Sequence, residues 1–168
     1  SYSRRFFDDG KISKGAMKRA ELAARNELQT LVSRFSKGNW QEAYGSSGTA
    51  RALAEILEFN GFGDGTITAE GLDQLRSAMI RAGDIEMLDL KGLKADRRPV
   101  IPGGLAIMSA VLSELNIESM GVAGGAMRQA LMTPINVPRA IRANRPRKLF
   151  SPMRAISGSR TAALARPR

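Results

Sequence analysis

Gly45-Ser46-Ser47-Gly48-Thr49 packs two glycines and three hydroxyls into five residues, between a strand-like run from Trp40 to Tyr44 and a helical pattern that begins at once afterwards. A strand, a tight turn and a helix start in that order leave backbone N–H groups without helical partners. Such a turn holds an anion, a phosphate above all, or it is only a capped helix start in an α/β sheet. In the first case Ser46, Ser47 and Thr49 offer hydroxyls, and the N–H groups of Gly48 and Thr49 face the anion. The device recurs: Ile117 to Ala123 is predicted as a strand, Gly124-Gly125 as a turn and Ala126 to about Leu131 as a helix start. In an open α/β sheet, turns at the carboxyl ends of strands line the ligand crevice, so two that converge are better evidence than one.

Arg97 and Arg128 are the charged candidates for that crevice, because a guanidinium forks onto phosphate oxygens better than an ammonium does. The alternative is a surface ion pair, for instance Asp96 with Arg98; Arg51, on the helix after the turn, fits either role. Gly103 and Gly104 would let a ligand or another backbone come close, and both uses remain open. Gly61-Phe62-Gly63-Asp64-Gly65 has the look of a dinucleotide fingerprint but follows a helix, so a connector is expected there. Much chemistry is excluded outright. The chain has no cysteine and no histidine, hence no disulfide, no thiolate metal site and none of the commonest general base.

These residues need positioning elements, and the pattern supplies them. Ser13 is expected to cap a helix with Met17, Ala20, Ala24, Leu28, Leu31 and Phe35 on one face, stopped by Gly38. A second helix runs to about Phe59 with Leu53, Ile56 and Leu57 inward. Thr68 caps a third with Leu72, Leu75 and Met79, ended by Gly83, and Asp84 is expected to start a short fourth through Leu88 and Leu90. Asp96-Arg97-Arg98-Pro99 is expected to open the most buried helix, apolar on nearly all sides from Leu105 to Leu115, which places it between two layers.

Its 168 residues are one domain's worth of chain, and 43% hydrophobic content is ordinary for a globular protein. No apolar run approaches the roughly 20 residues of a membrane helix. The net charge of +10 is unevenly spread: residues 1–130 carry 17 Lys+Arg against 16 Asp+Glu, whereas residues 131–168 carry 9 Lys+Arg and no acid. Prolines at 134, 138, 146, 152 and 167 interrupt that tail, which is expected to be loosely ordered, its cations meeting nucleic acid only unspecifically. Ser1-Tyr2-Ser3-Arg4-Arg5 resembles neither a signal peptide nor a translation start, so the chain is expected to begin mid-domain and to belong in the cytoplasm.

Four separate segments carry a resemblance. Arg4-Arg5-Phe6-Phe7-Asp8-Asp9-Gly10-Lys11-Ile12-Ser13, then Gly45–Thr49, then Leu93–Arg97 through Ile101-Pro102-Gly103-Gly104-Leu105-Ala106-Ile107, and finally Gly124-Gly125-Ala126-Met127-Arg128 resemble the exopolyphosphatase / guanosine pentaphosphate phosphohydrolase family over roughly residues 2–131. The resemblance implies an α/β, actin-like (ribonuclease H-like) fold of two domains that clasp phosphates between them. Residues 1–131 would form an incomplete second domain, with helices packed on a small mixed sheet, and 132–168 a basic tail. The family's first phosphate loop, catalytic glutamate and most Mg²⁺ ligands precede the position of Ser1, so no catalytic or metal-binding residue is assigned in this chain. Its phosphate-binding residues would be Gly45, Ser46, Ser47, Gly48, Thr49, Arg97, Gly103, Gly104, Gly124, Gly125 and Arg128. The implied partners are polyphosphate or guanosine pentaphosphate, the missing first domain and, in the intact enzyme, a second copy. Beyond Arg128 the wording departs from the family, and the abrupt loss of acids and periodicity points to an out-of-frame or truncated read from about residue 131. A different class of function is a non-catalytic module that binds polyphosphate or nucleotide, or RNA through the basic tail.

Overall fold

The computed structural model describes residues 2–32, 35 and 42–123, all within the first, Ser1–Thr133, of the chain's two units. Gly124, Gly125, Arg128 and the basic tail therefore lie outside the described residues, as do Trp40 and Gly38.

A five-residue helix, α1 (Tyr2–Phe6), opens the chain. Its Tyr2 hydroxyl donates to the Ala20 carbonyl at 2.7 Å, tying it to α2 (Lys14–Val32). Ser13 caps α2 as its sequence predicts, accepting from the Ala16 N–H at 3.0 Å. Met17, Ala20 and Ala24 of its apolar stripe are buried, while Leu28 and Leu31 are half-buried.

Among the described residues the first strand, β1, is Tyr44–Gly45; Glu42 and Ala43 of the predicted run are not part of it. Helix α3 (Gly48–Phe59) follows, with Ala50, Leu53, Ala54, Ile56 and Leu57 buried. The glycine-rich segment after it is a connector: Gly61 and Gly65 take φ of 72° and 91°, and the Asp64 carboxylate accepts from both the N–H and the hydroxyl of Thr66. It leads into a two-residue strand, β2 (Ile67–Thr68), that no local signal announced. Thr68 then caps α4 (Ala69–Ala82), and Gly83 ends it in the left-handed conformation at φ 72°.

Two expectations are corrected downstream. No helix forms after Asp84. Its backbone bridges to Lys11 and its carboxylate accepts from the Glu86 N–H at 2.9 Å, a local bond that competes with the helical one. Ile85 and Leu88 are buried nonetheless. The buried helix, α5, begins at Ile101 and runs to Glu114, not from Asp96; Ala95–Arg97 is a separate 3₁₀ turn. A continuous helix would drive the rings of Pro99 and Pro102 against the carbonyls four residues earlier. With Pro102 in its first turn, α5 avoids that conflict.

Strand β3 (Ser119–Val122) completes a small mixed sheet of order β1-β3-β2. It pairs parallel with β1, Tyr44 opposite Gly121 and Gly45 opposite Val122, and antiparallel with β2, Ile67 opposite Met120. Helix α5 packs against all four other helices, most extensively against α2, and buries Ile101, Leu105, Ala106, Met108, Ala110 and Leu112. It is thus the helix packed most extensively on other helices, although Ile107 on it is exposed. Among the described residues no helix is long and apolar enough to cross a membrane.

The Lys11–Asp84 contact closes the start of α2 onto the end of α4, with the Lys11 ammonium 2.8 Å from the carboxylate. Two backbone bonds flank it, Ile12 N–H to the Gly83 carbonyl and Ile85 N–H to the Gly10 carbonyl, both 2.9 Å. The Lys11 hydrogen bond, then the Glu86 N–H, hold the Asp84 carboxyl below its usual value. A depressed folded value contributes stability above the unfolded carboxylate value, about 3.9. That contribution is lost as pH falls through the lower folded value. Urea midpoints across a pH series should therefore place Asp84→Asn slightly below the wild type at neutral pH and converge with it in acid.

Candidate functional site

Parallel pairing puts the carboxyl ends of β1 and β3 side by side, and the Ala123 N–H donates to the Gly45 carbonyl at 3.0 Å. At that end the chain turns sharply into α3. Gly45 is required there, since a Cβ on it would lie 2.5 Å from the Cβ of Ala50. Ser47 is the N-cap: its Oγ accepts from the Ala50 N–H at 3.0 Å, and its carbonyl accepts from the Arg51 N–H at 3.2 Å. Two first-turn donors are thereby satisfied. The N–H groups of Gly48 and Thr49 have no partner among the described residues, and they sit at the positive end of the α3 dipole. Ser46, Ser47 and Gly48 are exposed and Thr49 half-buried.

Arg97 arrives from a distant part of the chain. Both of its terminal guanidinium nitrogens lie 3.3 Å from where a Gly48 Cβ would be, so the fork packs closely against the bare face of that glycine. Its tie to Asp96 is long, 3.9 Å from Nε to the carboxylate, and the side chain is 43% exposed. Among the described residues the charge is thus largely uncompensated, and it lies beside the first turn of α3. The surface pair offered as an alternative, Asp96 with Arg98, does not form; Asp96 turns to Arg97, and the Arg98 Nε is buried with no partner.

The two glycines of α5 do different things. Gly104 faces the site's supporting wall: a Cβ there would meet the Thr49 methyl at 2.5 Å. Gly103 is placed against Ser3 of α1, whose Oγ accepts from the Gly103 N–H at 3.2 Å and donates to the Val100 carbonyl at 3.1 Å. Ser3 is buried and braces the first turn of α5. No sequence signal points to it, because its partner lies 100 residues away. Tyr44, the residue before the turn, lies over Gly121 and donates to Glu42 at 2.9 Å. That hydrogen bond raises the phenol above its usual value.

The structure therefore brings together Gly45, Ser46, Ser47, Gly48, Thr49 and Arg97, with Gly104 behind them. The assembled chemistry is donor chemistry: N–H groups, hydroxyls and one guanidinium, the group types that suit an oxyanion. Among the described residues no group of three or more Asp or Glu gathers where a metal ion would fit. The Mg²⁺ implied by the resemblance has no ligand set among these residues. In comparison with known proteins, residues 1–135 match the family model described as the Ppx/GppA phosphatase family.

Proposed function

The chain belongs to the Ppx/GppA phosphatase family, and on that premise we propose that it is the phosphate-gripping part of a phosphohydrolase acting on phosphoanhydride bonds. Its substrate would be polyphosphate, or the 5′ end of guanosine pentaphosphate. It would be the second domain of an actin-like pair in the cytoplasm, the opposing wall and the base being supplied by a first domain. The supporting observation is the Arg97 guanidinium lodged over Gly48 at the start of α3.

In phosphoryl transfer the protein mostly positions groups and stabilises charge spread over the transferred oxygens. Fixed donors aimed where that charge develops need no reorganisation when it appears. The Gly48 and Thr49 N–H groups, the Ser46 and Ser47 hydroxyls and the Arg97 fork would hold a phosphate in that way. Water would attack the terminal phosphorus, activated by a group outside this chain.

The test is direct. Pure 168-residue chain should bind pyrophosphate yet release no phosphate from long-chain polyphosphate in a phosphate-release assay. Sustained release would place a base within the chain and overturn the division of labour. Absence of pyrophosphate binding would remove the grip itself.

A further inference from the structure

We propose that the groove between α2 and α4 is a second phosphate site, one that takes a linear inorganic polyphosphate along its length. The identity of that polyanion rests on the phosphatase reading above; the groove and its charge do not.

Helices α2 and α4 both pack on α5, and between them they leave a groove of about 670 Å³. Five cationic side chains line it, Lys14, Lys18, Arg25, Arg76 and Arg81, against a single carboxylate, Glu21. That imbalance is local. Residues 1–130 as a whole carry 17 cations and 16 acids, so the positive charge has been gathered here.

The one acid is already occupied. Both Glu21 oxygens accept from Arg76 Nη1 at 3.2 Å, and Arg76 Nη2 binds Asp73 at 2.8 Å. Arg25 leans on Glu114 at 3.7 Å. Lys14, Lys18 and Arg81 have no ion pair among the described residues, so three cations stand uncompensated beside one another. Lys14, Lys18 and Arg25 extend roughly 16 Å along α2 at the helical rise of ~1.5 Å per residue. A repeating row of anions matches that arrangement, and its neutralisation would release counterions in proportion to the cations engaged.

Binding of long-chain polyphosphate to the full chain should be compared across a salt series for the wild type, K14Q/K18Q/R81Q, and the charge-matched control R4Q/R19Q/K91Q. The groove variant should lose about tenfold in affinity, with its salt slope shallower by about 2. The control should change little, because the tail and net charge are the same in both variants. Equal losses in the two would mean unspecific attraction and overturn the proposal. So would single-stranded RNA binding with the same affinity and the same sensitivity to the groove variant.

Pyrophosphate affinity separates this groove from the α3 site. It should be unchanged in K14Q/K18Q/R81Q and lowered about 10- to 100-fold in Gly48→Val. If Gly48→Val retained it, the α3 site would fail while the groove stood or fell on its own comparison.

Discussion

Gly48→Val should lower pyrophosphate affinity about 10- to 100-fold while leaving the fold intact. A valine side chain would enter the space now held by the Arg97 guanidinium, whose two terminal nitrogens are 3.3 Å from the position of its Cβ. The fork would be pushed off the helix start, and the branched methyls would cover the Gly48 and Thr49 N–H groups. Hydrogen bonds to a charged group contribute about 1.5–3 kcal/mol each; losing the equivalent of one gives the stated range. Stability should barely move, since Gly48 is exposed and is not among the glycines with positive φ, so surface substitution at about ±0.5 kcal/mol applies.

Arg97→Lys keeps the charge but not the planar fork, and should cost less than Arg97→Ala. On the proposed reading, in which the glycine and the arginine serve one phosphate, the double variant Gly48→Val/Arg97→Ala should be little worse than the worse single one. Titration calorimetry at fixed salt reads all four. Ending the chain at Leu131 should leave pyrophosphate affinity unchanged. If that truncation abolished binding, the anion was held by the basic tail and the α3 site is merely a capped turn.

What was legible in the sequence was local. Ser13 and Thr68 signal caps through bonds to N–H groups three residues on, and Gly83 signals a left-handed stop. The apolar spacing of Leu53, Ile56 and Leu57 is buried as predicted because a helix face is set by its own period. The Gly45–Thr49 turn was legible for the same reason. What failed was non-local. The spacing of Asp84, Leu88 and Leu90 looks helical, but the backbone there pairs with Lys11 from the other end of the domain. β2 exists only because β3 lies beside it. For the site itself, the residue types were readable and their meeting was not: nothing near Arg97 says that it will pack against Gly48. Pro99 and Pro102 are a different case, since their ring sterics alone place the start of α5 later than Asp96.

The two glycines of α5 give the sharpest separation of packing from binding. Gly103→Ala should destabilise the protein by roughly 2–4 kcal/mol, combining overpacking with the loss of a buried hydrogen bond. The new Cβ would lie 2.5 Å from the Ser3 Oγ, 2.9 Å from its backbone nitrogen and 3.1 Å from its Cα. Backbone atoms cannot step aside by changing rotamer, so α1 must move away from α5 and the Ser3 bonds to Gly103 and Val100 must stretch. Gly104→Ala meets only the Thr49 methyl, the end of a side chain with two accessible helical rotamers. Its stability cost should be smaller, about 1 kcal/mol, but Thr49 would be displaced at the mouth of the proposed phosphate site. Urea midpoints should therefore fall furthest for Gly103→Ala, and pyrophosphate affinity furthest for Gly104→Ala. A Gly103→Ala protein with wild-type stability and no phosphate affinity would reverse the assignment and put Gly103 in the site.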